Sequence, residues 1–221
     1  MPFRTIKQWP SKFLSQPAEK ASLEDIKSIS IDLIDTLKVV AGAGLAAPQI
    51  GISKKILVID TERFQSENPD KDIDGSNFWI VANPVLKNCA GEWKWKEACL
   101  SVPLVSCMVT RSETLTLEYD DLNGKRKSIE MTTPLSLALQ HEADHLEGKT
   151  ILDRVGKSAS HLYKRKIRKS ILKSLRKQKE LEKELMSSGE PNIGRPKKKS
   201  HLSTQEVKKR KKNRRRNLMK K

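Results

Sequence analysis

Cysteine is scarce in this 221-residue chain: there are three, Cys89, Cys99 and Cys107. So small and odd a set makes no disulfide framework, and it suits a reducing compartment in which a thiol serves as a metal ligand or catalyst. Long apolar runs are missing too. No stretch approaches the roughly 18 apolar residues a membrane span needs, and the first ten residues lack the apolar centre of a signal peptide. The expectation is a cytoplasmic protein without a membrane partner. Acidic residues are the third shortage, 27 Asp and Glu against 44 Lys and Arg, a net charge of +17.

That shortage is local. Residues 1 to 156 carry 19 basic and 22 acidic side chains, whereas residues 157 to 221 carry 25 and 5. The chain therefore reads as a near-neutral body with a cationic arm, and such an arm attracts polyanions and releases their counterions on binding. Three segments follow: a catalytic-sized domain over 1–156, a basic helix over 157–187 and a Lys/Arg-rich tail over 188–221. About 150 residues suffice for a real core without cross-links.

Ser22 with Asp25 three residues on signals a helix start, and Leu23, Ile26, Ile29, Leu33, Leu37 and Val40 keep helical spacing. The spacing predicts a helix over about 23–40. Residues 56–60 and 78–84 read as strands, with a turn at Asn83-Pro84. Two further strands flank Asn123-Gly124, a hairpin turn signal. A buried helix should open near Thr133 or Pro134 and stop at Gly148. Helix, many antiparallel strands, helix: the expected class is α+β, with mostly antiparallel sheets around a central helix and further helices at both ends.

That central helix carries Gln-His-Glu-Ala-Asp-His at residues 140–145. Positions four apart lie about 40° apart around a helix, so His141 and His145 can converge on one divalent ion with Glu142 beside it. Two imidazoles leave such an ion one protein ligand short. In the long metalloprotease pattern the third is a histidine six residues after the second, where this chain has Ile151. A downstream glutamate would be Glu180, Glu182 or Glu184, all set among lysines on what reads as a solvated helix face. His161 opens the basic segment and His201 lies in the tail. Cys99 is the best candidate left, because a thiolate binds borderline and soft divalent metals well. Cys89 and Cys107 read as small core residues.

Residues 42–47, Gly-Ala-Gly-Leu-Ala-Ala, also fit a dinucleotide-binding fingerprint, with Asp60 further on. The context rejects it. A helical pattern precedes the glycines, Pro48 interrupts the helix that should follow, and the next strand starts too soon for a crossover.

Three segments in order, Gly-Ala-Gly-Leu-Ala-Ala-Pro-Gln at 42–49, Glu-Ala-Cys-Leu-Ser at 97–101 and Gln-His-Glu-Ala-Asp-His at 140–145, resemble the three signature motifs of the peptide deformylases. The similarity spans roughly residues 5–155. It implies that Cys99, His141 and His145 hold one divalent metal ion, that Glu142 is the general acid and base, and that the Gln49 side-chain amide and the Leu100 backbone N–H receive a developing oxyanion. It points to ferrous iron, while the donor set also suits zinc and nickel is compatible. The implied reaction removes formyl from an N-terminal formyl-methionyl peptide. For that substrate Gly44 would let the peptide backbone approach closely, and Leu137 and Ala138, on the helix face of His141, would line the methionine pocket. Two departures stand out: Ala98 replaces the usual glycine before the cysteine, and Val105-Ser106-Cys107 stands where arginine is common.

The arm predicts a helix over about 158–186 whose Ile167, Ile171, Leu175, Leu181 and Leu185 form one narrow stripe, docked on the body or on a partner. Beyond it, residues 188–221 have almost nothing to bury and should be disordered alone. Many phosphates could be neutralised there, and no aromatics interleave to read bases. The resemblance implies a tether to the ribosome and its RNA. The competing readings are a basic RNA-binding protein with a structural metal site, and a metallopeptidase. A monomer is expected.

Overall fold

The structure is a computed structural model that describes residues 3–70 and 76–188, with side chains through residue 184. The chain divides into two units, one through Leu172 and one from Lys173. The expected tail beyond residue 188 lies outside the described residues. The first unit holds helix α1 (Leu23–Val40), strands β1 (Gly44–Ala46), β2 (Ile56–Asp60), β3 (Phe78–Ala90), β4 (Trp93–Cys99), β5 (Val102–Arg111), β6 (Thr114–Asp120) and β7 (Arg126–Met131), helix α2 (Leu135–Leu146), the short α3 (Ile151–Arg154) and the start of α4 (Lys157–Ser188). The second unit's described residues continue α4. Among the described residues no helix is long and apolar enough to cross a membrane.

Helix α1 begins where its sequence signals it. Ser22 and Asp25 form a reciprocal capping box, satisfying two of the N–H groups that a helix start leaves orphaned. Its buried stripe is Ile26, Ile29, Leu33 and Leu37. These pack on one face of a five-stranded antiparallel sheet of order β1-β2-β3-β6-β7, while α2 covers the other face. Alternation along a strand explains the division. Ile56 and Val58 join the α1 cluster, and Leu57 and Ile59 join the α2 cluster. A sheet covered on both faces gives strands apolar throughout, as Ile-Leu-Val-Ile is in β2.

The expected turn at Asn83-Pro84 does not form. Strand β3 continues to Ala90 and absorbs the pair in a register shift between Ala82 and Val85, with Asn83 at φ +48°. The Asn83 amide accepts from Ala21 N at 2.8 Å and donates to Ala21 O at 3.0 Å and to Asp120 at 2.8 Å. A tertiary partner 62 residues away thus overrides a local turn signal. Cys89 is a second correction, since near the outer end of β3 it is exposed and not in the core.

Strands β4 and β5 form a separate hairpin against α3 and the start of α4, with Val102, Val105, Cys107, Val109, Ile151, Leu152 and Ile167 buried together. The expected stripe is docked through Ile167 and Ile171, whereas Leu175 and Leu181 are exposed.

Residues before α1 tie the motif-bearing segments together. Lys7 N bonds Gln49 O at 2.7 Å, Trp9 N bonds Ser101 O at 2.8 Å and Ala18 N bonds Leu146 O at 2.8 Å. Gly148, at φ +68°, ends the α2 turn where an added Cβ would lie 2.8 Å from the Gln16 backbone. Glycine is required there twice over, for the left-handed φ and for the close approach.

Candidate metal centre

Helix α2 is buried nearly all round, which places polar side chains in the interior and obliges each to find a partner. His141 and His145 lie one turn apart with ring centroids 5.3 Å from each other. From the end of β4, Cys99 brings its Sγ to 3.2 Å from His145 Nε2. A break in the hairpin register makes that placement, because Ala98 faces Ser106 while Cys99 already faces Val102. Donor atoms of Cys99, His141 and His145 lie within 4.8 Å of one another.

The surroundings orient these donors. His141 Nδ1 is 2.7 Å from Glu97 Oε2, leaving the ring's other nitrogen for the cluster. Glu97 is in turn held by Arg111 at 2.7 and 2.9 Å. Arg111 also donates to Asp144 at 2.5 Å, and Arg154 donates to both oxygens of the same carboxylate. Such a carboxylate behind a ligating imidazole fixes its tautomer and raises its basicity. Sequence reasoning missed Arg111 and Arg154. Glu97 and Asp144 lie inside the motifs themselves, and charged residues flanking metal-ligand candidates were the available signal.

Electrostatics prepare the site for a cation. Burial works against a Cys99 thiolate, yet His145 and His141 bring its pKa from 9.0 to about 5. Burial likewise disfavours a charged His141, but Cys99, Glu97 and Glu142 outweigh it and raise its pKa well above 6.5. For Glu97 burial is again overcome, here by His141 and Arg111, and its pKa falls to about 2. Glu142 goes the other way, because burial dominates and raises its pKa above the usual carboxylate value. Positive charge beside Cys99 favours its thiolate, and a bound cation would supply that charge.

Do these residues fit a metal? Among the described residues, two buried side-chain atoms have no hydrogen-bond partner, Glu142 Oε2 and His145 Nδ1. A thiolate with two imidazoles is a three-donor set of the open kind that catalytic ions use, with room for a further ligand. The fit is good, and one divalent ion is the consistent occupant.

Gln49 is buried beside the cluster. Its Oε1 accepts from Ala46 N at 2.7 Å, which leaves Nε2 as the donor facing Ser101 Oγ at 3.3 Å and Cys99 Sγ at 3.8 Å. Gly44 lies across from Glu142, and an added Cβ would meet its Cγ and Oε1 at 2.8 Å. The close neighbour of Gly44 in this structure is therefore a side chain of the site itself. A cavity of about 540 Å³ opens here; it is lined by Gly44, Gln49, Cys99, Leu100, Leu137, Ala138, His141 and Glu142 among others. His145, wholly buried, is the one predicted site residue outside that lining.

Fold and site define an α+β protein with a buried metal centre of one thiol and two imidazoles. Residues 3–161 match the sequence profile described as polypeptide deformylase. A peptide deformylase of Acidobacterium capsulatum is 36% identical over 171 residues, covering 76% of this chain and 96% of that protein. The crystal structure of a peptide deformylase from Legionella pneumophila superposes with a TM-score of 0.68 at 31% identity, over 79% of this chain and 99% of that one. One from Ehrlichia chaffeensis in complex with actinonin gives 0.65 at 30% identity, over 77% and 98%. The chain belongs to the peptide deformylase family.

Proposed function

We propose that this chain removes the formyl group from the N-terminal formyl-methionine of nascent polypeptides, in the cytoplasm beside the ribosome, releasing formate and a free amine. Cys99, His141 and His145 would hold the divalent ion, with iron in the cell and zinc or nickel as workable substitutes. When bound, that ion supplies Lewis acidity and lets a water ionise near neutral pH.

The chain's own residues do the rest. Glu142 takes the proton the attacking water gives up and passes it to the leaving amine as the C–N bond breaks. A buried carboxyl with a raised pKa and one unpartnered oxygen suits both halves of that transfer. Gln49 Nε2 and the Leu100 N–H would receive the charge developing on the formyl oxygen, each worth about 3 to 4 kcal/mol. Gln49 can do so because Ala46 N fixes which end of its amide faces the site.

The substrate backbone would run along the outer edge of β1. Ala43 O is committed to Asp60 N of β2, so by alternation the peptide groups of Gly44 point away from β2. Leu137 and Ala138 would bound the methionine side chain, and the chain would act as a monomer.

Glu142 Oε2, buried beside three metal donors and unpartnered, carries the catalytic reading, because a purely structural site has no use for it. Formate release from a formyl-Met peptide tests it. Glu142→Gln should retain the metal and lose turnover by a factor of about 10² to 10⁴. A metal-loaded protein that binds RNA but never releases formate would support the structural-site alternative, and cleavage of internal peptide bonds would support a metallopeptidase.

A further inference from the structure

One stretch of the cavity rim has an unusual construction. In the β4–β5 hairpin, Cys99 pairs with Val102 and Ala98 with Ser106, so Pro103, Leu104 and Val105 bulge out of β5 unopposed. Bulges of this kind re-aim side chains next to active sites. Leu104, within this bulge, has φ +68°, a left-handed backbone rarely adopted by a residue with a large side chain. Leu104 is 59% exposed and lines the cavity. An apolar side chain held half in water by a disfavoured backbone needs something to hold it. That restraint comes from α4, where Lys166 Nζ donates to Leu104 O at 3.1 Å. The first part of α4 is itself anchored, with Ile167 buried in the hairpin cluster and Arg168 stacked on Trp9 at 5.2 Å.

We propose that Leu104 is a specificity-determining residue for the second side chain of the substrate, and that Lys166 is the positioning residue that holds it over the cavity. The assignment rests on the formyl-peptide reading above. In an extended peptide successive side chains point to opposite sides. The methionine side chain enters toward Leu137, which is 2% exposed and forms the buried wall. The next side chain therefore points to the open rim, where Leu104 stands. An apolar second residue would lose water against Leu104, while a small polar one would gain nothing.

The test uses the full-length, metal-loaded protein with two peptides, formyl-Met-Leu-Ala-Ser and formyl-Met-Ser-Ala-Ser, and reads the ratio of their kcat/KM values. Wild type should favour the leucine peptide about fivefold, less than an enclosed pocket gives because the rim is open. Leu104→Ala should bring the ratio toward one. Lys166→Met should do the same, whereas Lys166→Arg, which can still donate to the carbonyl, should restore it. A wild-type ratio near one, or a ratio unmoved by Leu104→Ala, overturns the proposal while leaving formate release intact. Lower thermal stability in Lys166→Met with an unmoved ratio overturns the positioning role alone. If wild type releases formate from neither peptide, the deformylase reading falls and this inference falls with it.

Discussion

His141 Nδ1 lies 2.7 Å from Glu97 Oε2, so an acid on the same strand as one metal ligand, Cys99, sets the ring of another. Two segments 44 residues apart are locked by that bond before any ion arrives. Glu97→Gln should keep the shape of the contact and lose its charge. Metal affinity, read by competition with a chromogenic chelator, is expected to fall about 10- to 100-fold.

Behind Glu97 stands Arg111, 4% exposed and shared between Glu97 and Asp144. Removing it leaves buried Glu97 with His141 alone and buried Asp144 with Arg154 as its remaining cation. Arg111→Met should therefore lower unfolding free energy by about 3 to 5 kcal/mol, as breaking buried pairs does. Guanidinium titration of the metal-loaded protein checks this, with a falling midpoint and an unchanged slope as the expected result.

Gly44 offers a test that separates packing from binding. A methyl group there would stand 2.8 Å from Glu142, which must move aside. Gly44→Ala should lower kcat on formyl-Met peptides about tenfold or more through a displaced proton carrier, while the metal content of the purified protein stays that of wild type. A fall confined to KM would instead point to a substrate clash.

For the cationic arm, deleting residues 188–221 should leave turnover of a short free peptide close to wild type and weaken co-sedimentation with ribosomes at low salt. Each phosphate that the shortened chain no longer neutralises should flatten the salt dependence of RNA binding by about 0.7 to 0.9 in log-log slope. Co-sedimentation equal to that of the full chain would argue against the tether.

Local signals are legible where local chemistry decides. The Ser22 capping box, the helical spacing of Ile26 to Leu37 and the Asn-Gly hairpin before β7 all form as the sequence predicts. Cys99 joins His141 and His145 in that group because the missing third ligand could be sought by residue type. Asn83 misleads because its partner Ala21 is remote. The Arg111 network is invisible in the sequence for the same reason, its partners lying 14 and 33 positions away. Strand β4, with its Trp-Lys-Trp-Lys run, also resists reading, since Trp93 and Trp95 are both exposed.

The segment before α1 has a consequence for how the molecule comes into being. Lys7, Trp9 and Ala18 each hold the backbone of a different motif-bearing segment, yet the last of those anchors, Leu146, leaves the synthetic machinery long after the first. The Ala18 bond to Leu146 can close only once α2 has emerged. A fragment that ends before His145 lacks one donor of the cluster, so maturation of the centre should be a single late event rather than a gradual gain.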